Sequence, residues 1–462
     1  MVKKILLVGF LVISVAGFSQ VPSGLSMLFE EDPTLLITRI KVVIRGGSLV
    51  DPAGKSGVAS MMSELMLRGT KTKKRTAFQK SVESLGAQFT TGATHDMISF
   101  DGAVVKENTS ALLALMQEAI REPAFDAKEF ANLKKETLAE ISHLKNQNYR
   151  LGGLVVRKAI FAGTPLEFPT IGTLETVKKI TLKDIQSAYH EHFQRNRFIF
   201  AVATSVPKAE MEKELKVFWE GFPVKPVTDE ANYEPKSPSA NTLILIHKPK
   251  TSTGAILMAQ PGIVAQDPDR YALSIGNFSF GGEPLVSRLF RIVRSELGYT
   301  YSIFSTYGTT GGLSNQKGIY AIGATPSMEF TAKTLFKTLE LWNHYEASGL
   351  ETDELRLARE SLVNSYPFEF DAAEKRLGLR LSSLVYDVPI LTPIQYEKTI
   401  NEVGRKEIKK AVLSHHGSKP WVIAVVADKD QFAKLLDEEQ KNIPEAKRLK
   451  ISKVISPDDV IK

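Results

Sequence analysis

GVASMMSELMLRGT, residues 57–70, decides how the rest of the chain is read. Val58, Met61, Met62 and Leu65 recur at i, i+3, i+4 and i+7, the stripe of a helix laid on a core. Gly57 precedes the helix and Arg68-Gly69 closes it. Ser60, Ser63 and Glu64 fall on the polar face. On either side come runs of β-branched and apolar residues, LLITRIKVVIRGG (35–47) and FTTGATHDMISFDGAVV (89–105), which read as hairpin-like strand sets between helices.

The pattern occurs twice. KKETLAE (134–140) aligns with ARESLVN (358–364), and ITLKDIQSA (180–188) with VGRKEIKKA (403–411). FIFAVA (198–203) aligns with WVIAVV (421–426), so three matches fall in order at nearly one offset. Each half therefore carries a long amphipathic helix, a helix opening on a polar turn, and a buried strand. KPVTDEANYEPKSPSA (225–240), rich in Pro and Ser and without periodicity, reads as the linker between them. The expected fold is α+β: two duplicated domains, each a mostly antiparallel sheet covered by helices. The expected boundaries are 20–224 and 241–462.

Composition excludes several classes of function. The 462 residues carry 59 Lys and Arg against 52 Asp and Glu, with no long single-sign run, which argues against a nucleic-acid partner. The start, MVKKILLVGFLVISVAGFSQ, has a basic n-region, an apolar stretch too short to span a bilayer comfortably, and small residues as at a signal-peptidase site. Residues 1–19 are read as a signal peptide and the protein as exported to a bacterial periplasm; an uncleaved segment would instead anchor it to the membrane. The absence of cysteine removes disulfides, thiol catalysis and Cys-zinc sites.

GVASMMSELMLRGT, SLGAQFTTGATHD (84–96), the helix around Glu140, PTIGTLETVKKITLKDI (169–185) and FGGEPLVSRLFRIVRSELGYTYSIFS (280–305) together resemble the insulinase-like zinc peptidases, the M16 or pitrilysin family, in its short two-domain bacterial form. The resemblance implies a LuxS-like metallopeptidase fold with two domains facing one another across a chamber. Catalytic members carry His-x-x-Glu-His on the first helix: two imidazoles at i and i+4 grip zinc, and the Glu activates water. The matching positions here are Ser60, Ser63 and Glu64, so both imidazoles and the base are missing. Glu140 matches the downstream third ligand. A rebuilt site from Glu64, Glu140 and His143 is the alternative these positions leave open. His190 and His192, two apart on a helix, point away from each other, and His415-His416 read as a turn.

The second half keeps its signature. Arg294 and Tyr301 match the family pair that reaches the substrate carbonyl, with Tyr299 as the rival aromatic. Thr90-Thr91 stands where the family carries the Asn-Ala pair of its substrate-aligning edge strand. The resemblance thus implies no metal in this chain, with zinc on an M16 partner subunit. This chain would supply Arg294 and Tyr301 to a heterodimer that degrades peptides, and would be inactive alone. The rival expectation is a structural or assembly pseudoenzyme of the same fold.

Overall fold

The computed structural model describes residues 26–225, 232–308 and 316–462. The signal-peptide expectation falls outside the described residues, as does part of the linker. The first half runs β1 (Met27–Glu31), β2 (Ile37–Arg45), α1 (Val58–Met66), α2 (Arg75–Ser84), β3 (Gln88–Ala93), β4 (Met97–Val105), α3 (Thr109–Arg121), α4 (Ala127–His143), α5 (Asn148–Ile160), α6 (Leu174–Lys179), α7 (Leu182–His192), β5 (Phe198–Thr204) and α8 (Lys208–Glu220). The second runs β6 (Thr242–His247), β7 (Ala255–Pro261), α9 (Arg270–Asn277), β8 (Thr300–Gly308), β9 (Ile319–Pro326), α10 (Thr331–Ser348), α11 (Thr352–Ser365), α12 (Ala373–Tyr386), α13 (Pro393–Glu402), α14 (Arg405–His416), β10 (Val422–Ala427), α15 (Lys429–Glu439), β11 (Ile451–Ile455) and α16 (Pro457–Ile461).

The two sheets repeat one topology. Strand order is β1-β5-β2-β4-β3 in the first and β11-β6-β10-β7-β9-β8 in the second, so β11 is the single addition. Most neighbours are antiparallel; β1 with β5, and β6 with β10 and β11, are parallel. β3 and β8 occupy equivalent outer edges of the two sheets.

Local chemistry sets the elements. Gly57 sits at φ 110°, where a Cβ would meet the Ile171 carbonyl oxygen at 2.8 Å, so glycine is required at the entry to α1. The Asp51 carboxylate accepts from the Gly57 and Ala59 N–H groups, both at 2.8 Å, and caps that helix. Thr173, Thr181, Thr392 and Ser456 each open a helix with a reciprocal capping box. β5 and β10 are buried along their whole length, which explains why FIFAVAT and VIAVVA lack polar alternation.

Each half covers one face of its sheet with its own helices and the other face with a helix borrowed from its twin. α5 lies on the second sheet: Leu151 and Val155 join Leu257, Ala259, Val422 and Ala424 in one core. α12 lies on the first, with Ala373 and Leu377 against Ala201 and Ala203, and Val385 against Val43 and Ile199. Arg376 and Arg380 seal that contact on Glu30 at 3.3 and 2.8 Å. Within the linker, the Lys236 N–H donates to the Ile160 carbonyl at 2.7 Å. His415 and His416 close the last turn of α14 rather than forming a loop turn, because the helix holds its register to residue 416 before Gly417.

Candidate functional site

α1 packs against α7, edge strand β3 and α4. Ser63 is buried, and its hydroxyl donates back to the Ser60 carbonyl at 3.0 Å. Glu64 is exposed on the next turn. Partial desolvation pushes its carboxyl above the usual range; Arg68 opposes the shift, and the charges of Glu140 and Glu136 reinforce it. Arg68 itself is held by Glu136 through two bonds of 2.6 and 3.2 Å.

The fold therefore brings Glu64 and Glu140 within electrostatic reach and leaves them as like charges. A zinc ion selects imidazole and thiolate, and an inward hydroxyl committed to a backbone carbonyl is no substitute. This donor set does not fit zinc. Among the described residues, the three metal-ligating side chains that converge are Asp267, Asp269 and His415, in the other half; Glu64, Glu140 and His143 do not converge. His415 Nε2 lies 3.0 Å from Asp269 and 3.5 Å from Asp267, a pairing that satisfies the imidazole without an ion.

On β3 the side chains alternate. Thr90 faces solvent, while the Thr91 hydroxyl is spent on the Ser99 carbonyl at 2.8 Å. The outer backbone of β3 has no neighbouring strand among the described residues, so an extended chain has an edge to pair with.

Arg294 and Tyr301 are built differently. Phe278–Gly282 and Phe290–Glu296 wind as π-helix, a widened winding that recurs at functional sites. Gly298 turns the chain at φ 66° into β8. The pairing of β8 with β9 slips between Thr300 and Ile303, and this bulge turns Tyr301 outward, 81% exposed. The Arg294 guanidinium lies between two rings, 4.4 Å from the Phe290 centroid and 4.5 Å from that of Tyr301. It has no hydrogen-bond or ion-pair partner among the described residues. Tyr299, the rival aromatic, instead stacks on Phe330 at 5.2 Å.

The segment is anchored from behind. Arg288, 5% exposed, bonds Glu354 through Nε at 3.0 Å and Nη2 at 2.5 Å, and reaches the Gly349 carbonyl at 3.1 Å. Burial works against the Glu354 charge, yet the bonds from Arg288 and the Glu351 N–H hold its carboxyl below the usual range. Sequence reasoning missed Phe290 as the second ring; its i, i+4 spacing from Arg294 was the available signal.

Ser48, His95 and Arg157 resemble a nucleophile-base pair but cannot act as one. Ser48 Oγ is 2.8 Å from His95 Nδ1, and Arg157 is 3.0 Å from Nε2. A guanidinium only donates, so Nε2 accepts and Nδ1–H donates to the serine, which leaves Ser48 unactivated. Burial, then the Arg157 charge, pushes the imidazole down to about 3.

Known proteins share this architecture. Two family models match successive parts of the chain: insulinase (peptidase family M16) over residues 26–174, and the peptidase M16 inactive domain over 179–362. An uncharacterized zinc protease of Rickettsia bellii is 24% identical over 74% of this chain and 80% of its own length. The non-peptidase homolog YmxG of Helicobacter pylori is 19% identical over 87% and 92%. Among solved structures, the peptidase M16 inactive domain from Pseudomonas fluorescens superposes with a TM-score of 0.79 at 23% identity, covering 88% of this chain and 96% of that one. At that identity the superposition establishes the fold alone.

Proposed function

We propose, from the premise that this chain belongs to the M16 family of insulinase-like peptidases, that it is the non-zinc subunit of a heterodimeric peptidase. Arg294 and Tyr301 would complete the active site of a zinc-bearing M16 partner. The observation that carries this reading is the state of Arg294: a guanidinium clamped between Phe290 and an outward Tyr301, with its donors unspent. A cation and a phenol fixed beforehand stabilise an oxyanion without reorganising as charge develops. The first half supports the same division of labour, because its donor set cannot hold zinc and it has no base at position 63. The open edge of β3 would align the peptide by strand addition, with Thr90 replacing the usual side-chain contact. The basic and then hydrophobic N-terminal sequence supports a periplasmic location.

The name of the Helicobacter relative, a non-peptidase homolog, favours a second reading: a structural subunit in which the pair is idle. Peptidase assays on a quenched fluorescent peptide separate the two. The chain alone is expected to be inactive and its mixture with a zinc-bearing relative from the same cell active. Arg294→Ala or Tyr301→Phe should then lower kcat by about a hundredfold, or roughly 3 kcal/mol of barrier. Mutant mixtures as active as the parent would leave the structural reading standing.

A further inference from the structure

No polar contact fixes Arg294. It is half-buried, its donors have no hydrogen-bond or ion-pair partner among the described residues, and the nearby acid Glu296 is taken by Arg291 at 2.7 Å. The contacts that confine the guanidinium are two ring faces, Phe290 at 4.4 Å and Tyr301 at 4.5 Å from its carbon. Each ring attracts the cation through its quadrupole, and a planar guanidinium stacks on such a face.

The two rings are unequal. Tyr301 is 81% exposed and stands on the bulged edge strand, whereas Phe290 is 9% exposed on a segment tied down on every side. Just before it, Arg288 is locked to Glu354 at 3.0 Å, and Leu289 lies in the core with Val293. Asn277 and Ser305 exchange bonds of 2.7 and 3.3 Å, which tie the first π-helical turn to β8. The Leu297 N–H reaches the Ile292 carbonyl at 3.0 Å, an i+5 bond that closes the wide winding beyond Arg294. The buried ring is therefore the fixed wall on which Arg294 rests.

We propose that Phe290 is a positioning residue: its ring sets the direction in which Arg294 offers its donors, and it acts on catalysis only through that guanidinium. This rests on the reading of Arg294 as an oxyanion donor. Such a donor works by standing in place before charge develops, and a long side chain with nothing to confine it loses that advantage. Leucine at 290 would fill much of the same space without a charged face; tyrosine would keep the ring.

Two measurements test this. The first is nuclear magnetic resonance of the chain alone, carrying isotope-labelled arginine, in which the Arg294 Nε–H signal is the one lost in Arg294→Ala. Ring currents should hold that signal upfield of solvated arginines. Phe290→Leu should move it most of the way back, and Phe290→Tyr should leave it in place. An unmoved signal in folded Phe290→Leu overturns the proposal. The second is peptidase kinetics of the mixture with a zinc-bearing relative. Phe290→Leu should lower kcat about tenfold and change KM by no more than about twofold, with Phe290→Tyr restoring the rate. Added to Arg294→Ala, Phe290→Leu should cost nothing more. A further drop in that double variant shows that Phe290 acts by another route, and overturns the proposal as well. If Arg294→Ala mixtures keep full activity, the reading of function fails instead, and the resonance shift alone decides whether Phe290 holds Arg294. Circular dichroism establishes folding of each variant, and Phe290→Met replaces Phe290→Leu should the latter not fold.

Discussion

Asp51 holds the first turn of α1 while sitting almost out of water. Burial pushes its carboxyl up to about 7, outweighing the Gly57, Ala59 and Val58 N–H groups that favour its charge. In the unfolded chain the same group titrates near its ordinary 3.8. Between these values the folded state holds the extra proton, so stability is greatest below about pH 4 and declines as pH rises toward 7. A tenfold difference in proton affinity between the two states is worth about 1.4 kcal/mol, and the loss from this group should reach roughly 1 to 4 kcal/mol. Urea melts at a series of pH values should therefore show a downward slope that flattens in Asp51→Asn, which does not titrate. A parallel slope in the variant would mean that Asp51 is charged throughout. On the polar face of the same helix the Ser63 hydroxyl bonds the Ser60 carbonyl, while Val58, Met61, Met62 and Leu65 stay buried in the core.

At the scale of elements, α5 and α12 decide how the halves meet. A Cβ on Gly152 would stand 2.8 Å from Leu257 Cδ2 on the second sheet, whereas Gly153 meets nothing within 4 Å. Gly152→Leu should overpack this seam and cost about 1–3 kcal/mol. Gly153→Ala, in the same helix, should gain roughly 0.5–1 kcal/mol from helix propensity and a less flexible unfolded chain. Opposite signs in thermal melts of these neighbours would establish the seam; equal signs would refute it. The sequence announced the helices just ahead of α5 and α12, where KKETLAE matches ARESLVN, and left those two themselves unread. It could not announce the exchange, because an apolar stripe states that a helix is covered and not by which sheet. The same limit applied to the sites. Resemblance singled out Arg294 and Tyr301 as candidates, while Phe290 closes on Arg294 only once the π-winding and the bulge of β8 set the geometry.

The exchange makes the duplicated molecule a single cooperative object. Without α12, the first sheet would show water Val43, Ile199, Ala201 and Ala203, all of them buried in the intact chain. Without α5, the second would expose Leu257, Ala259, Val422 and Ala424. An exposed apolar sheet face of that kind favours aggregation over a stable fold. Each half also holds the other by charge, through Glu30 to Arg376 and Arg380, and the Lys462 carbonyl accepts from the Glu175 N–H at 3.0 Å. Calorimetry of the intact chain should accordingly give one unfolding transition whose calorimetric and van't Hoff enthalpies agree. Leu377→Ala on α12 should lower that transition as a whole, by about 2–5 kcal/mol of stability, because the vacated space lies between the halves. Residues 26–225 produced alone should be loosely packed, with helix signal retained and near-ultraviolet dichroism lost. Two separate transitions, only one of them moved by Leu377→Ala, would show that each half stands by itself. The reciprocal helices would then be a contact rather than a condition of folding.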